Sequence, residues 1–522
     1  MNGASLTRKQ TAFIMAGTML TLLLAALDNT IVGTAMPKII RDLNGMEHYA
    51  WPFTAYILFS TIILPISGKL ADIYGRKKIT LLGIAFFVLT SILCGSAHGM
   101  IELSIFRGFQ GIGGGICISS AFIIVSEIFP LGQRAKYMGL ITSMFALASI
   151  MGPVVGGVIT DYLSWRWVFY VNIPFGIAAF ILIAKNLPSL IHHDEQRKID
   201  IIGVFAFVLA ALPFLFVISQ MGGHSFLSFD MIALSVFSAV MFASFLLIER
   251  RSKEPLLSLH FFREKIFSVS VIASFLGNMA IFGAAIYFPL YLQSVRGESA
   301  TRSGLIMMPM MVSVVLASNI SGFCVARLQR FKSVAIIGLF VSFAGMFSFG
   351  FFSDRSMTST LIAFSALTGI GLGMTFPVFM VAPQCVFAPR QIGIVISLLQ
   401  FFRNLGGAIG SAVFGAIMIS KMNAGLRGIA LGNLPGNITE LVKNPGVIAN
   451  PQKIAAIRGG ISEPMLTDFD RFVSLCVHSI SGSIEMIFLI SSGILLAALL
   501  LVIFSFNEKQ VRHAMAEHKK QY

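Results

Sequence analysis

Two charged residues, an acid and a base, lie within long apolar stretches of this chain. The acid could take up and release a proton. Asp28 lies in the apolar run 11–36, and Arg107 lies in the run 102–126. Burial in a medium of low dielectric disfavours a charged carboxylate, whereas a neighbouring cation favours it. A carboxyl group held between these two effects can take up and release a proton. The alternative interpretation of Asp28 is a static ion pair or a polar group that only packs helices.

The residues after Arg107 make it the candidate partner of Asp28. Gln110, Gly111 and Gly114 follow at spacings of three, four and seven residues, which share one helix face. Glycine on such a face lets a neighbouring helix or a substrate approach closely. Asn29 and Gln110 are the neighbouring polar candidates for a cavity.

Arg403 repeats this pattern in the second half of the chain, with Asn404 beside it. The glycines on its face are Gly406, Gly407 and Gly410. Arg403 and Asn404 are therefore cavity candidates, although Arg403 could instead pair with lipid phosphate. Glu485 is a further cavity candidate, for which an interfacial position is the alternative. Glu127 falls at the end of its apolar run, and we expect it to be solvated.

The composition requires a membrane around these residues. Hydrophobic residues make up 56% of the 522 residues and charged residues only 12%, whereas soluble domains carry roughly 25% charged residues. A soluble fold of this size cannot bury so much apolar surface. The net charge of +15 therefore indicates basic loops beside a membrane, and we expect no nucleic-acid partner.

Apolar runs long enough to cross a bilayer, about 20 residues, occur fourteen times. The predicted spans are 11–36, 49–70, 79–98, 102–126, 136–160, 165–186, 199–221, 229–248, 266–292, 303–326, 333–352, 357–382, 391–419 and 482–506. The loops after the second, eighth and tenth spans are rich in Lys and Arg, whereas those after the first, fifth and eleventh are nearly neutral. The positive-inside rule then places both termini in the cytoplasm of a multi-pass protein of the cell membrane.

Short motifs recur in the same order in two blocks of the chain. Ile66-Ser67-Gly68 matches Ile320-Ser321-Gly322, and the glycine-rich run 111–115 matches 369–373. Repeats of this kind are common in transporters that rock around a central site. We therefore predict a six-helix bundle in 1–190, two inserted helices in 191–262, and a second six-helix bundle in 263–522.

The second bundle includes a long loop, about 420–480, predicted to lie outside the cell. Prolines, glycines and mixed charges are spread through it. Two interpretations stay open, a mobile loop and short amphipathic helices at 452–458 and 466–477 that lie on the membrane surface.

The loop from Gly68 to Lys78 places one acid, Asp72, among several bases. An acid there can cap a neighbouring helix N-terminus and hold an arginine at the same time. We predict a conformational latch formed by Gly68, Asp72, Gly75 and Arg76. The alternative, a basic loop that sets topology, is compatible with that role.

The fifth predicted span carries a glycine-proline motif. Gly152 and Gly156 form a small-residue face for close packing, and Pro153 removes a backbone hydrogen bond, which kinks a helix. Together with Gly157 these residues are predicted to form a gate.

Motifs typical of enzymes are absent from the sequence. It contains no phosphate-binding loop of the G-x-x-x-x-G-K-[ST] type, and its His and Cys spacing does not suit zinc. Of the five cysteines, the first four, Cys94, Cys117, Cys324 and Cys385, are interpreted as small hydrophobic residues. We therefore expect no enzyme activity, no cofactor, no metal site and no use of ATP.

Several of these motifs resemble those of the major facilitator superfamily. Gly68–Lys78 resembles its signature between the second and third helices, and Arg107-Gly108-Phe109-Gln110-Gly111 resembles its fourth-helix motif. The fourteen-helix drug:proton antiporters of this superfamily have motifs that resemble three further segments, 27–32, 152–157 and 165–176. The second half matches mainly by layout and by the run 401–407.

The resemblance implies an all-α membrane protein with the major-facilitator fold, in which two six-helix bundles flank a cavity and two extra helices are inserted. It also implies proton-driven export by alternating access, with Asp28 and Arg107 as the proton-linked pair and 68–76 as the latch. The partners would then be protons, membrane lipid and a small lipophilic substrate, as in multidrug efflux.

Two other functions remain compatible with the sequence. One is a dedicated exporter of a single metabolite or lipid, and the other is a membrane sensor or structural protein with a transporter fold. The tenth span, 303–326, lacks the extra acid that some exporters of dications carry. Neutral, zwitterionic or monocationic lipophiles are therefore the expected substrates.

Overall fold

The computed structural model describes residues 7–43, 51–188, 200–220, 228–252, 259–298, 300–351, 357–388, 391–426, 451–461 and 463–521. Within these ranges the chain forms helices and no strand. Long apolar sequences explain this, because a helix satisfies its own backbone hydrogen bonds where lipid offers none.

The first half of the chain forms nine helices in the described residues. They are α1 (Arg8–Leu43), α2 (Trp51–Tyr74), α3 (Arg76–Ser96), α4 (Met100–Ile128), α5 (Leu131–Tyr162), α6 (Trp167–Tyr170), α7 (Asn172–Asn186), α8 (Ile201–Gln220) and α9 (Phe229–Arg251). The short α6 and α7 form one span with a break at Val171.

The second half of the described chain forms eight more helices. They are α10 (Lys265–Ser294), α11 (Ala300–Leu328), α12 (Phe331–Phe349), α13 (Thr358–Val381), α14 (Ile392–Leu426), α15 (Pro451–Gly459), α16 (Glu463–Ser505) and α17 (Glu508–Gln521). Short 3₁₀ turns precede α10 and follow α13.

Fourteen helical stretches are long and apolar enough to cross a membrane. The predicted number of spans and their order are confirmed. The chain is therefore a multi-pass membrane protein, and its predicted spans differ from the helices mainly at their ends.

The last span corrects the prediction for the external loop. The piece 466–477 does not form a separate surface helix, because α16 runs unbroken from Glu463 to Ser505. Phe469, Phe472, Cys476 and Ile480 are all buried, at spacings that continue one apolar helix face into the span. The piece 452–458 lies within α15, and residues 427–450 lie outside the described residues.

The helices pack as two bundles. α1 contacts α4, α5 and α7, while α4 contacts α2 and α3. In the second bundle α11 and α12 contact α13, and α10 contacts α14 and α16. The inserted α8 and α9 contact each other, and α8 also touches α2 and α14. The predicted boundary at 190 lies outside the described residues.

Glycines set the same close helix contact in both bundles. A side chain at Gly111 would collide with the carbonyl oxygen of Tyr56, and one at Gly115 with that of Ser60. In the second bundle, Gly369 and Gly373 meet the carbonyl oxygens of Met310 and Val314 in the same way. The repeated motif 111–115 and 369–373 therefore marks the same contact, α4 on α2 and α13 on α11.

The two bundles touch each other mainly through α5 on α11 and α2 on α14. Asn319 donates a hydrogen bond to the Ser143 hydroxyl (2.7 Å), and Arg134 donates to the side-chain oxygen of Gln384 (3.1 Å). Ser143 and Arg134 lie toward the beginning of α5, Asn319 lies beyond the middle of α11, and Gln384 lies in the turn after α13. That end of the protein also holds the N-terminus of α1, because successive spans alternate in direction.

Alanine at Gly111 or at Gly369 should destabilise the protein by about 1–3 kcal/mol, because each new methyl group meets a backbone oxygen that cannot rotate away. Thermal unfolding of the purified protein in detergent measures this loss. Gly482→Ala is the matched control, since no atom lies within 4 Å of its added methyl group. Equal melting temperatures for all three variants would contradict the packing described here.

Candidate functional site

Asp28 and Arg107 form an ion pair at the centre of the first bundle. Arg107 Nη1 donates to Asp28 Oδ2, and both side chains are completely buried, with 0% exposure. The sequence-predicted partners are thus brought together by α1 and α4. Because neither charge reaches solvent in this conformation, a proton can reach the carboxylate only if helices move.

Two amides complete the environment of the Asp28 carboxylate. Gln110 Nε2 donates to Asp28 Oδ1 (3.1 Å), and Asn172 Nδ2 donates to the same oxygen (2.7 Å). The Ser91 hydroxyl accepts a further bond from Gln110 (2.7 Å). Side chains of α1, α4 and α7 therefore meet at one carboxyl group, and Ser91 links α3 to it through Gln110.

Tyr56 explains why glycines follow Arg107. The Arg107 guanidinium lies over the Tyr56 ring, 4.3 Å from its centroid. The Tyr56 hydroxyl donates to the Ala25 carbonyl (3.2 Å), which ties α2 to α1. A side chain at Gly111 would strike the Tyr56 backbone, and one at Gly114 would strike its hydroxyl. The glycine face thus makes room for the ring that supports the arginine.

Sequence reasoning missed the contributions of Tyr56, Ser91 and Asn172 to this site. Tyr56 and Ser91 stand in ordinary apolar runs, which carry no sign of their position in space. Asn172 could have been noticed, because it is a polar residue just after the break at Val171 that opens α7. The side chain of Asn29, a predicted cavity residue, lies outside the described residues.

The predicted latch residues lie where α2 meets α14. Asp72 Oδ2 accepts a hydrogen bond from the backbone nitrogen of Ile394 (3.0 Å), in the first turn of α14. The carboxylate thus caps a helix that belongs to the other bundle. A side chain at Gly68 would lie 2.7 Å from the Gly393 carbonyl oxygen, so glycine permits this approach. Gly75 has φ +92° in the turn to α3, a conformation that favours glycine.

Arg76 joins this cluster to α4. Its guanidinium lies 3.6 Å from Asp72 Oδ1 and 3.2 Å from Glu127 Oε2. The expectation that Glu127 is solvated was wrong, since only 13% of its side chain is exposed. The end of α4 lies near the α2–α3 loop, and the Arg76 guanidinium is within ion-pair distance of both acids there.

The predicted gate residues on α5 differ in their surroundings. A side chain at Gly152 would collide with Thr30 of α1, whereas nothing lies within 4 Å of one at Gly157. Thr30 Oγ1 also donates to the Ala148 carbonyl (3.0 Å), one turn before Gly152. Gly156 is buried, and the Pro153 side chain lies outside the described residues. α5 is therefore fastened to α1 two residues beyond Asp28.

The remaining candidates lie in the second bundle. Arg403 on α14 lies over the Phe376 ring of α13 at 4.7 Å and near the Phe145 ring of α5 at 6.0 Å. Arg403 and Asn404 are partly exposed. Glu485 on α16 accepts a hydrogen bond from Ser481 one turn earlier (3.2 Å). The structure thus separates the candidates into a buried ion pair and an arginine at the bundle interface.

Single substitutions of the ion pair should cost more than the double substitution. Asp28→Asn leaves Arg107 as an uncompensated buried charge, and Arg107→Gln does the same to Asp28, at a cost of about 3–5 kcal/mol each. The double variant leaves no buried charge and should regain part of that loss. Melting temperatures of the three variants in detergent give the coupling energy. Strictly additive losses would contradict a direct ion pair.

Comparison with known proteins identifies the family. The model of the Major Facilitator Superfamily matches residues 18–411. The chain is 39% identical over 412 residues to the Multidrug transporter protein MdtP of Bacillus subtilis, covering 78% of this chain and 75% of that protein. It is 32% identical over 515 residues to Multidrug resistance protein 3 of the same organism, covering 97% of each.

A solved structure supports the fold. The human organic anion transporter MFSD10 (TETRAN) superposes with a TM-score of 0.62 over 94% of this chain and 99% of that one. At 14% identity this likeness bears on the fold alone. The helical bundles, the family match and the relatives agree, and the chain belongs to the Major Facilitator Superfamily of membrane transporters, which are not enzymes.

Proposed function

We propose that this protein is a proton-coupled antiporter that exports lipophilic compounds across the cell membrane. The observation that carries the proposal is the Asp28 carboxylate, completely buried and paired with Arg107. Ionisable residues inside spanning helices are costly and mark ion pathways or proton relays. The similarity to two multidrug transporters supports efflux as the direction of transport.

Protonation of Asp28 would remove the counter-ion of Arg107. A protonated carboxyl can no longer balance the guanidinium charge, and α4 and α7 would lose the charged group on α1 to which their side chains donate. The energy of the buried pair thus depends on one proton. If substrate binds only after the ion pair has separated, export of the substrate is coupled to proton uptake. This coupling would need no bound cofactor and no ATP.

The two bundles are in contact at the end that holds the Asp72 cluster. With the N-terminus in the cytoplasm, as the basic loops predict, this end faces the cytoplasm. Asp72 and Arg76, with Gly68 and Gly75 shaping the turn, would latch the two bundles until the cavity opens inward. The hydrogen bond from Ile394 to Asp72 is the contact that must break. Alternating access would then be the rocking of one bundle against the other.

α5 would form the gate that links protonation of Asp28 to opening of the latch. Gly152 and the Thr30 hydrogen bond fasten α5 to α1 beside Asp28, and Asn319 fastens α5 to α11. Movement at the carboxylate would therefore reach the bundle interface. Inward proton movement supplies about 2.3 kcal/mol per 100 mV of membrane potential, enough for more than tenfold accumulation by each proton.

Transport in liposomes tests the role of Asp28. Fluorescent lipophilic compounds, one anionic and one cationic, are offered under an imposed pH gradient. At least one should move with the wild-type protein, and Asp28→Asn should abolish that gradient-driven transport, because an amide cannot exchange a proton at this position. Asp470→Asn is the matched control, because it removes an exposed carboxylate outside the buried network. Equal transport by wild type and Asp28→Asn would remove Asp28 from the coupling step. If the wild type moves only one compound in a substrate screen, a dedicated exporter becomes the better function.

Asp72→Asn should shift the protein toward opening at the latch end, because an amide oxygen caps α14 more weakly than a carboxylate and does not pair with Arg76. Spin labels at Lys78→Cys and Arg330→Cys, both exposed, report the distance between the bundles there by double electron–electron resonance. The expected result is a larger long-distance population than in wild type. Asp470→Asn, which removes an exposed carboxylate paired with Arg458, is the control. Unchanged distances in Asp72→Asn would contradict the latch.

A further inference from the structure

Arg403 lies between aromatic rings of both bundles. Its guanidinium carbon is 4.7 Å from the centroid of Phe376 on α13 and 6.0 Å from that of Phe145 on α5. Phe376 in turn lies 5.6 Å from Phe122 on α4. Arg403 therefore lies where helices of the two bundles meet, and its position in α14 is inside the predicted span 391–419.

The guanidinium of Arg403 has no acidic partner among the described residues. Its buried Nε forms no hydrogen bond there, and the bond from Asn278 (2.8 Å) reaches the backbone oxygen of Arg403 instead. The sequences of α10, α11, α12, α13 and α14 contain no Asp or Glu. Arg107, which stacks on Tyr56 in a similar way, is neutralised by Asp28.

A permanent positive charge therefore remains at the bundle interface. Arginine stays protonated in proteins, and its planar fork matches the two oxygens of a carboxylate. An uncompensated cation within a membrane span is costly, so such residues mark substrate or ion pathways. The flanking aromatic faces can hold an apolar group beside the charge.

We propose that Arg403 binds the anionic oxygen group of an amphipathic exported compound, whose apolar part lies against Phe145 and Phe376. The proposal rests on the export function above and narrows the substrate to lipophilic anions, against the expectation of neutral or cationic compounds. Gln400, one turn before Arg403, supports it. Its side chain is 1% exposed, and both its amide nitrogen and its amide oxygen lack a hydrogen-bond partner among the described residues.

Equilibrium binding of radiolabelled 2-naphthoate and of neutral 2-naphthamide to the purified protein in detergent tests this site. Wild type should bind the anion at least about tenfold more tightly than the amide, as one charge-assisted bidentate contact provides. Arg403→Gln should lose that preference, and Arg403→Lys should keep part of it. Arg458→Gln is the charge-matched control, because it removes an exposed arginine. Unchanged binding of 2-naphthamide by Arg403→Gln shows that this variant is folded.

Two results would overturn the proposal. One is a wild-type protein that binds 2-naphthoate no better than 2-naphthamide, and the other is an Arg403→Gln variant that keeps the wild-type preference. A lipid headgroup offers the same anionic oxygens, so binding is repeated in nanodiscs. Phosphatidylcholine should leave 2-naphthoate binding unchanged, and so should phosphatidylglycerol. Competition by phosphatidylglycerol would assign Arg403 to lipid and reject the substrate site.

The binding assay separates this site from the proposed antiport, because it uses no gradient. Anion-selective binding without any response of transport to pH would reject antiport and retain the site. Gradient-driven export of a cation by a protein with no anion preference would retain antiport and reject the site.

Discussion

The ion pair between Asp28 and Arg107 constrains the whole first bundle. Two opposite charges at 0% exposure are tolerable inside a membrane span only if they neutralise each other. Gln110 on α4 and Asn172 on α7 donate further hydrogen bonds to the Asp28 carboxylate. The packing of several helices therefore depends on the ionisation state of one carboxyl group, which is a requirement for any device that converts proton binding into movement.

α5 is the element through which that movement can reach the second bundle. It contacts α1 through Thr30 beside Asp28, and it contacts α11 through the Ser143–Asn319 hydrogen bond. It also places Phe145 next to Arg403. Glycines on α5 let both neighbours approach closely, Gly152 toward α1 and Gly139 toward α11. A helix fastened on both sides transmits a shift more directly than two bundles joined only by loops.

The sequence predicts much of this architecture, because the membrane makes hydrophobicity a strong signal. The number of spans and the Asp28–Arg107 pairing follow from apolar length and from the cost of buried charge. The repeated glycine motifs predicted a duplicated bundle, and each glycine face proved to be a helix contact. Tyr56 and Glu127 were missed, because their roles depend on which helices meet, and apolar spans carry little information on their neighbours.

Arg107 and Arg403 differ in their surroundings, and this difference suits two different roles. Arg107 is neutralised by an acid on the same bundle, whereas Arg403 has no acidic partner among the described residues and lies against aromatic rings. If the first arginine serves the proton and the second an anionic substrate, one cycle carries a positive charge inward and a negative charge outward. Each of these charge movements releases about 2.3 kcal/mol for every 100 mV of an inside-negative membrane potential. The membrane potential would then drive both movements, whereas for a cationic substrate it would oppose the export that the proton drives.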